Sequence, residues 1–332
     1  MSGSIIVNHQ IARPLKGKLA RKSAAKSRFA SPFAPMRLDA PANSAASQTG
    51  ALLVKLGGAA IDEADKRQDL FAALCDLHIA LRKQGDGVVL IHGGGKAVDR
   101  RLERLGMISE RRDGIRITPP EHIDEVGAGL AGSVNKQVVG QILRHNVPAV
   151  GLCLGDGFIA RSAKATGYSF DPGRVGEIRG GDPALVKLLL GAGYMPVLCS
   201  IGLDEQGLPL NINADDAAAG LAGLLPCRGL VLLTDVNGVL DSSGRVIEQL
   251  TAPDVERRIA SGEISGGMIP KVRGALHAAA ASGGPVTIAS WNNPTSLLGL
   301  VNGAAVGTRV VPQSVREPAA APCAVTPWSD LL

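Results

Sequence analysis

Short apolar runs that end in glycines recur along this chain, and stretches with the hydrophobic period of a helix separate them. Runs that are apolar throughout are typical of strands buried on both faces of a parallel sheet. The runs are ALLVKLGG, GVVLIHGGG, VPAVGLCLGDG, MPVLCSIGL, RGLVLLTDVNG and PVTIAS. The intervening stretches predict helices over residues 64–83, 94–105, 133–145, 183–193, 215–225, 251–261 and 271–283. The alternation predicts an α/β fold with helices on both faces of a mainly parallel sheet.

Glycine-rich loops follow the predicted strands, and in such sheets ligands bind beyond the carboxyl ends of the strands. One loop, VVLIHGGGKAVD at residues 88–99, does not match the G-x-x-x-x-G-K-[ST] pattern of a P-loop. Leu90 stands where the first glycine is required, and Ala97 lacks the hydroxyl that holds Mg²⁺. The three glycines still expose amides at a helix start, where an anion is favoured. A tight turn without a ligand is the alternative, and Lys96 is interpreted as a surface residue.

Lys55 is the charged residue of the otherwise apolar run ALLVKLGG. A lysine in a buried strand needs an anion or a carboxylate nearby, and the glycines after it let backbone amides approach a phosphate. The alternative is a side chain that reaches solvent at the edge of the strand.

Three further stretches carry polar groups that can bind a substrate. LNINADDAAAG places two asparagines before Asp215 and Asp216 at a helix start, where we expect one aspartate to cap the helix. LLTDVNGVL places Asp235 at a strand end, where it could contact a ribose or Mg²⁺ or belong to a plain turn. ISGGMIPKV places Lys271 at a helix start after two glycines. Two lysines, glycine loops and a carboxylate suit phosphoryl transfer, which depends on positioning and on positive charge at the moving group.

The stretch GAGLAG, residues 127–132, matches the G-x-G-x-x-G of dinucleotide-binding folds. It follows PPEHIDEV, which is acidic and helix-like, and residues 133–155 contain no Asp or Glu that could bind a ribose. We therefore expect these glycines to permit close helix packing.

Composition excludes several classes of protein. Aromatic residues make up only 3% of the chain, too few for base stacking, and we expect no nucleic-acid partner. No apolar run approaches the ~20 residues of a membrane helix, so no membrane partner is expected. The five cysteines are scattered without a CxxC, which argues against a zinc site or a disulfide framework and for a reducing compartment. No Ser, Cys or His constellation indicates a covalent intermediate.

The basic residues of the chain concentrate at its N-terminus. Residues 1–50 contain eight Lys or Arg and one acidic residue. We predict a disordered extension there, although a transit peptide has a similar composition, so the predicted cytoplasmic location has an organellar alternative. The Pro- and Ala-rich residues 312–332 are interpreted as a C-terminal tail, which leaves one catalytic domain over residues 51–311, with nucleotide binding from about residue 200 onward.

From Leu52 to Val310 the chain resembles N-acetylglutamate kinase, of the amino acid kinase superfamily, and especially its short enterobacterial type. Ten motifs carry the resemblance in the same order: VKLGG, HGGG, GIRITPPEHID, GLAGSVNK, GLCLGDG, NINADDAA, LTDVNGVL, GGMIPKV, TIASW and GTRV. The resemblance implies a dimeric αβα sandwich with an open, mainly parallel sheet of about eight strands. It also implies that MgATP phosphorylates the γ-carboxylate of N-acetyl-L-glutamate, the second step of arginine synthesis through acetylated intermediates.

The resemblance assigns roles to residues of this chain. Lys55 and Lys271 would stabilise the transition state, and Asp215 would organise both lysines. Acetylglutamate, with its α-carboxylate on the arginine, would be bound by Gly94, Gly95, Arg116 and Asn211. The γ-phosphoryl group would be held by Gly57 and Gly58. The nucleotide pocket would be lined by Asp235, Val236, Asn237, Gly238, Val239, Leu240, Ile264, Ser265, Gly266, Gly267, Met268 and Ile269.

The extension departs from the short enterobacterial type, which starts close to its first strand. Arginine-inhibited hexameric relatives carry an N-terminal helix that interlaces dimers, but here four prolines interrupt any long helix: Pro14, Pro32, Pro35 and Pro41. We therefore expect a dimer without arginine feedback. Two alternatives stay open: a kinase for a homologous acid such as N-acetyl-α-aminoadipate, and a catalytically silent regulator that binds nucleotide.

Overall fold

The structure is a computed structural model that describes residues 50–112 and 114–312. The predictions for the extension over residues 1–50 and for the tail over 312–332 fall, apart from Gly50 and Pro312, outside the described residues. Within the described ranges, no helix has both the length and the apolar character needed to cross a bilayer.

A central sheet of eight strands organises the domain, in the order β12-β14-β13-β11-β1-β2-β8-β5. Its neighbours are parallel except for β13 and β14, so the predicted mainly parallel sheet is confirmed. The strands of the described chain are β1 Ala51–Leu56, β2 Val88–His92, β3 Arg111–Arg112, β4 Ile115–Arg116, β5 Ala149–Cys153, β6 Arg161–Lys164, β7 Val175–Gly180, β8 Met195–Cys199, β9 Ile201–Leu203, β10 Pro209–Ile212, β11 Cys227–Thr234, β12 Gln249–Leu250, β13 Val286–Ser290 and β14 Thr308–Val310.

Helices cover both faces of this sheet and complete a three-layer sandwich. The α-helices are α1 Gly58–Asp62, α2 Gln68–Arg82, α3 Gly95–Arg104, α4 Ile123–Gly127, α5 Asn135–Arg144, α6 Ala184–Gly191, α7 Ala214–Leu224, α8 Ala252–Ala260 and α9 Met268–Ser282. Side chains of β1 alternate between the two cores, as the period of a strand requires. Leu53 packs with α6, α7, α8 and α9, whereas Leu52 and Val54 pack with α2 and α5.

The glycines of GAGLAG lie in a helix, as predicted. A seven-residue π-helical segment, Ala128–Val134, joins α4 to α5. A Cβ added to Gly129 would lie 3.2 Å from Val98 Cγ2, so the absence of a side chain lets this segment approach α3 closely. The expectation of close helix packing is confirmed at Gly129, whereas a Cβ on Gly127 or Gly132 would meet no atom within 4 Å.

Two smaller sheets were not anticipated from the sequence. One has four strands in the order β6-β7-β10-β9, and the other is the β3–β4 hairpin. Their strands are short and partly polar, so they lack the continuous apolar run that identified the central sheet. They matter for function because β10 carries Asn211 and β4 carries Arg116.

The turn before β14 provides a test of the fold. Gly303 and Gly307 have φ of 72° and 64°, but a Cβ on Gly303 meets open space, whereas one on Gly307 would lie 1.9 Å from the Ile288 carbonyl oxygen. We expect Gly303→Ala to cost about 1–2 kcal/mol of unfolding free energy for the left-handed backbone. Gly307→Ala should cost about 1–3 kcal/mol more, because β13 and β14 must separate. Urea unfolding measures both, and equal losses would contradict the proposed clash.

Candidate active site

Lys55 lies in the centre of the sheet, at the carboxyl end of β1. Its register neighbours are Leu232 on β11 and Ile91 on β2. The ammonium group forms an ion pair with Asp215, with 2.9 Å between Nζ and Oδ1, and its side chain is only 15% exposed. The pair supplies the carboxylate that a lysine in a buried strand was expected to need.

Asp215 is free for this ion pair because Asn213, and not an aspartate, caps α7. The Asn213 side chain accepts hydrogen bonds from the backbone N–H groups of Asp215 and Asp216, at 2.8 and 3.3 Å. The expectation that one of the two aspartates caps the helix is therefore wrong. An asparagine at the N-cap satisfies the same amides without using a carboxylate.

The first cavity at this end of the sheet has a volume of about 220 Å³. Gly94 has φ of 155°, and a Cβ there would lie 3.1 Å from Leu130, which lines this cavity, so a side chain would crowd its wall. All four residues that the resemblance assigned to the acceptor line it, although they come from distant parts of the chain: Gly94, Gly95, Arg116 and Asn211. Lys55 and Asp215 line it as well.

Arg116 is buried and held by its neighbours. Its Nη2 donates to the Gly95 carbonyl oxygen at 2.8 Å, and its Nη1 donates to Asp99 and to Ser109. Thr118 Oγ1 accepts a hydrogen bond from Asn211 Nδ2 at 3.0 Å, which links the hairpin to β10. Sequence reasoning missed Asp99 and Ser109, and the one available signal was an acidic residue one helical turn after HGGG.

A second cavity, of about 320 Å³, lies beside the first. Lys271 Nζ lies 2.5 Å from Asp235 Oδ1, and both residues line this cavity together with Gly57. The sequence interpretation has Asp215 organise both lysines, whereas in this structure Asp215 pairs with Lys55 and Asp235 pairs with Lys271. Lys271 lowers the pKa of Asp235, mainly through the hydrogen bond that its ammonium group donates to the carboxylate.

The two cavities meet at a shared set of residues. Lys55, Gly58 and Asp215 line both of them. A group bound in one cavity therefore faces a group bound in the other across the Lys55–Asp215 ion pair. Chemically, this arrangement brings an anionic donor and an anionic acceptor together at an ammonium group.

The other residues predicted for the nucleotide pocket lie outside the lining of this second cavity. Val239 and Ile264 are buried in the hydrophobic core, and their assignment to the nucleotide pocket stays a prediction. Burial of an apolar side chain is the more stable arrangement at such positions. The remainder occupy the turn after β11, the segment that leads into α9 and the first two residues of α9: Val236, Asn237, Gly238, Leu240, Ser265, Gly266, Gly267, Met268 and Ile269.

His92, just before the three glycines, is a buried structural residue. Its Nδ1–H donates to the Gly93 carbonyl oxygen at 2.8 Å, and its Nε2 accepts from Asn135 Nδ2 at 3.0 Å. The same Asn135 amide donates to the Val197 carbonyl oxygen, so the network joins β2, β8 and α5. Burial lowers the pKa of His92 to about 4, and the ring is neutral in the folded protein at neutral pH.

Two of the scattered cysteines meet in the structure. Cys153 on β5 and Cys199 on β8 are register partners, and their sulfur atoms lie 3.5 Å apart. The lack of a local cysteine motif therefore did not exclude a thiol pair. Among the described residues, no group of three or more His, Cys, Asp or Glu side chains is arranged to hold a metal ion.

An open parallel sheet with two cavities that meet at a lysine–carboxylate pair is an arrangement that suits a small-molecule phosphotransferase. The sequence profile of the amino acid kinase family matches residues 51–290, and the chain belongs to this family. Within this family, the chain belongs to the acetylglutamate kinases. The chain is 44% identical over 261 residues to the acetylglutamate kinase of Pectobacterium carotovorum subsp. carotovorum (strain PC1). This alignment covers 78% of this chain and 98% of that relative. The chain is 41% identical over 260 residues to the acetylglutamate kinase of Yersinia enterocolitica, with 78% and 100% covered.

Solved structures share the fold. N-acetylglutamate synthase from Neisseria gonorrhoeae, complexed with coenzyme A and N-acetyl-glutamate, superposes with a TM-score of 0.63 at 23% identity, over 80% of this chain and 60% of that chain. Carbamate kinase from Giardia lamblia bound to AMP-PNP superposes with a TM-score of 0.54 at 19% identity, over 80% and 99%. At these identities the likeness concerns the fold alone.

The buried neutral His92 predicts a pH dependence of stability. An unfolded histidine has a pKa of about 6.5, so below that pH the unfolded chain binds a proton that folded His92 does not bind. Stability should therefore fall as the pH drops from about 6.5 towards 4, by about 2 kcal/mol at about pH 5. In urea unfolding at about pH 7.5 and about pH 5, His92→Gln should lack this share of the loss. His78, whose pKa burial also lowers to about 4, titrates in both proteins and cancels. Identical losses would overturn the assignment.

Proposed function

We propose that this chain transfers the γ-phosphoryl group of ATP to the γ-carboxylate of N-acetyl-L-glutamate, giving N-acetyl-L-glutamyl 5-phosphate in arginine biosynthesis. The observation that carries the proposal is the pair of cavities that meet at Lys55 and Asp215, in a chain of the acetylglutamate kinase family. The first cavity would take the acceptor and the second would take the phosphates of ATP.

The acceptor cavity suits a small molecule with two carboxylates. Buried Arg116, which lines this cavity, fits one of them through charge-assisted hydrogen bonds. Backbone N–H groups at the start of α3 and the Lys55 ammonium group, which line the same cavity, fit the other. The reacting carboxylate would then point towards the second cavity.

The donor cavity suits a phosphate chain. Gly57 and Gly58 let backbone amides approach phosphate oxygens, and Lys271 reaches the cavity from α9. Lys55 and Lys271 would bear on the moving phosphoryl group from two sides, which stabilises the negative charge on its oxygens in the transition state. Asp215 would hold the Lys55 ammonium in position.

Mg²⁺ fits this site as a companion of the nucleotide. A magnesium ion bound through phosphates needs one or two protein carboxylates and keeps several waters. Asp235 borders the donor cavity and is more than half exposed, which suits that role. When bound, the ion would neutralise charge on the phosphate oxygens.

A homodimer and a cytoplasmic location complete the proposal, and both follow from the resemblance to the short acetylglutamate kinases. Multi-angle light scattering of the full chain would test the dimer. A monomer at assay concentrations would overturn that part and leave the proposed reaction in place.

The two lysines should affect the rate more than binding. We expect Lys55→Ala and Lys271→Ala each to lower kcat by roughly 10²–10³-fold with modest change in KM, because their charges act on the transition state. Lys96→Ala is the matched control, since Lys96 is 72% exposed and lies next to Gly95. Steady-state kinetics with acetylglutamate and MgATP measure all three, and near-wild-type turnover in Lys55→Ala or Lys271→Ala would contradict the assignment.

The choice of acceptor can be tested directly. Acetylglutamate should be preferred over N-acetyl-α-aminoadipate by roughly 10–200-fold in kcat/KM, the range for one methylene group. An ATP-dependent hydroxamate assay with each acid measures this ratio. A preference for the longer acid would favour the homologous kinase, and nucleotide binding without hydroxamate would favour a silent regulator.

A further inference from the structure

Arg111 and Arg116 are directly opposite each other in the β3–β4 hairpin, where Arg112 is opposite Ile115. Like charges at directly opposite positions of antiparallel strands repel each other. The pairing is therefore unfavourable unless an anion lies between the two guanidinium groups. The resemblance gives a role to Arg116 and none to Arg111.

Asp99, on α3, supplies an anion to both arginines. Its carboxylate accepts hydrogen bonds from Arg116, from Arg111 Nη2 at 3.1 Å and from Ser109 Oγ at 2.7 Å. Burial alone would raise the pKa of Asp99, but these hydrogen bonds outweigh it and lower the pKa to about 2. Asp99 is therefore ionised at neutral pH.

The two guanidinium groups converge on the third glycine of HGGG. A Cβ built on Gly95 would lie 2.9 Å from Arg111 Nη2 and 3.7 Å from Arg116 Nη2. Both arginines line the acceptor cavity at this point. The first turn of α3 adds its own partial positive charge there.

The charges around Asp99 do not balance. Among the described residues, the one carboxylate of Asp99 faces two guanidinium groups, which gives this wall of the cavity more positive than negative charge. Arg116 is buried and bonded to three protein groups, whereas Arg111 is 45% exposed and pairs, among the described residues, with Asp99. Arg111 therefore keeps N–H donors for a ligand, in the planar arrangement that fits a carboxylate.

We propose that Arg111 binds the α-carboxylate of the acceptor together with Arg116, and that Asp99 is a positioning residue that holds both guanidinium groups over Gly95. The inference rests on the proposed function, because it concerns the acceptor of that reaction. It makes the second carboxylate a requirement for tight binding. The contact therefore calls for an acceptor that carries two carboxylates.

A substrate that lacks only the α-carboxylate isolates this contact. N-acetyl-4-aminobutyrate is N-acetylglutamate without that group. We expect Arg111→Ala to raise KM for acetylglutamate by roughly 10–100-fold, the range for a charge-assisted hydrogen bond. The variant should leave kcat and the kcat/KM for N-acetyl-4-aminobutyrate within about twofold of wild type.

Arg112→Ala is the matched control, because Arg112 is the next residue of the hairpin and its guanidinium lies over the Phe170 ring, 4.7 Å from the centroid. Arg112→Ala should not change the kinetic constants for either acceptor. An Arg111→Ala effect of equal size on both acceptors, or on neither, overturns the role of Arg111.

Asp99→Asn tests the positioning role without a change of size. It should raise KM for acetylglutamate and leave kcat and the KM for ATP unchanged. Asp62→Asn is its control. Asp62, at the end of α1, pairs at 3.2 Å with Arg100 of α3, the helix that carries Asp99, and it lies outside the acceptor cavity. A fall in kcat, or an equal KM effect in Asp62→Asn, would show that Asp99 serves the helix and not the arginines.

Gly95→Ala provides a test that is independent of charge. Gly95 has no left-handed φ and begins α3, so alanine suits the backbone and should not lower the thermal unfolding midpoint. Its methyl group should displace the Arg111 guanidinium and raise KM for acetylglutamate more than for N-acetyl-4-aminobutyrate. If the ratio of the KM for acetylglutamate to the KM for N-acetyl-4-aminobutyrate does not change, the proposed role of Arg111 is overturned, even if Arg111→Ala folds poorly. Absence of wild-type turnover with acetylglutamate would instead overturn the proposed function itself.

Discussion

A lysine in the centre of a buried sheet is the constraint on which the rest of the structure depends. Lys55 lies between two apolar strands, where an unpaired ammonium group would be strongly unfavourable. Asp215 compensates the charge, which requires α7 to begin at the carboxyl end of β1. Because Asn213 satisfies the first amides of α7, the Asp215 carboxylate remains available. The position of this pair then decides where the two cavities meet.

The positive side chains of the site pair with three different carboxylates. Lys55 is held by Asp215, Lys271 by Asp235, and the two arginines of the hairpin by Asp99. Each carboxylate keeps a cation in a defined place before a ligand arrives, which reduces the ordering needed on binding. The clustering of such pairs at one end of the sheet produces a region that suits two polyanionic substrates at once.

The fold alone does not select the reaction. The neighbours at 23% and 19% identity share the fold of this chain, and a fold by itself does not specify a reaction. What distinguishes members is the set of side chains at the carboxyl ends of the strands. Here those side chains line two adjoining cavities, and we propose that the one bordered by Arg111, Arg116 and Asn211 takes the acceptor and the other takes the phosphates.

The sequence by itself determined the parallel sheet, the helices on its faces and the general place of the site, because apolar runs and glycine loops are local patterns. It also determined that Lys55 needs a counter-charge, since burial of an ammonium group is unfavourable in any fold. Only the tertiary structure decided which carboxylate each lysine meets, that Asn213 caps α7, and that Arg111, Arg116 and Asp99 converge on Gly95. It likewise decided that Cys153 faces Cys199. These contacts join residues from separate strands and helices, and strand order and hairpin register, which no local pattern encodes, set their distances.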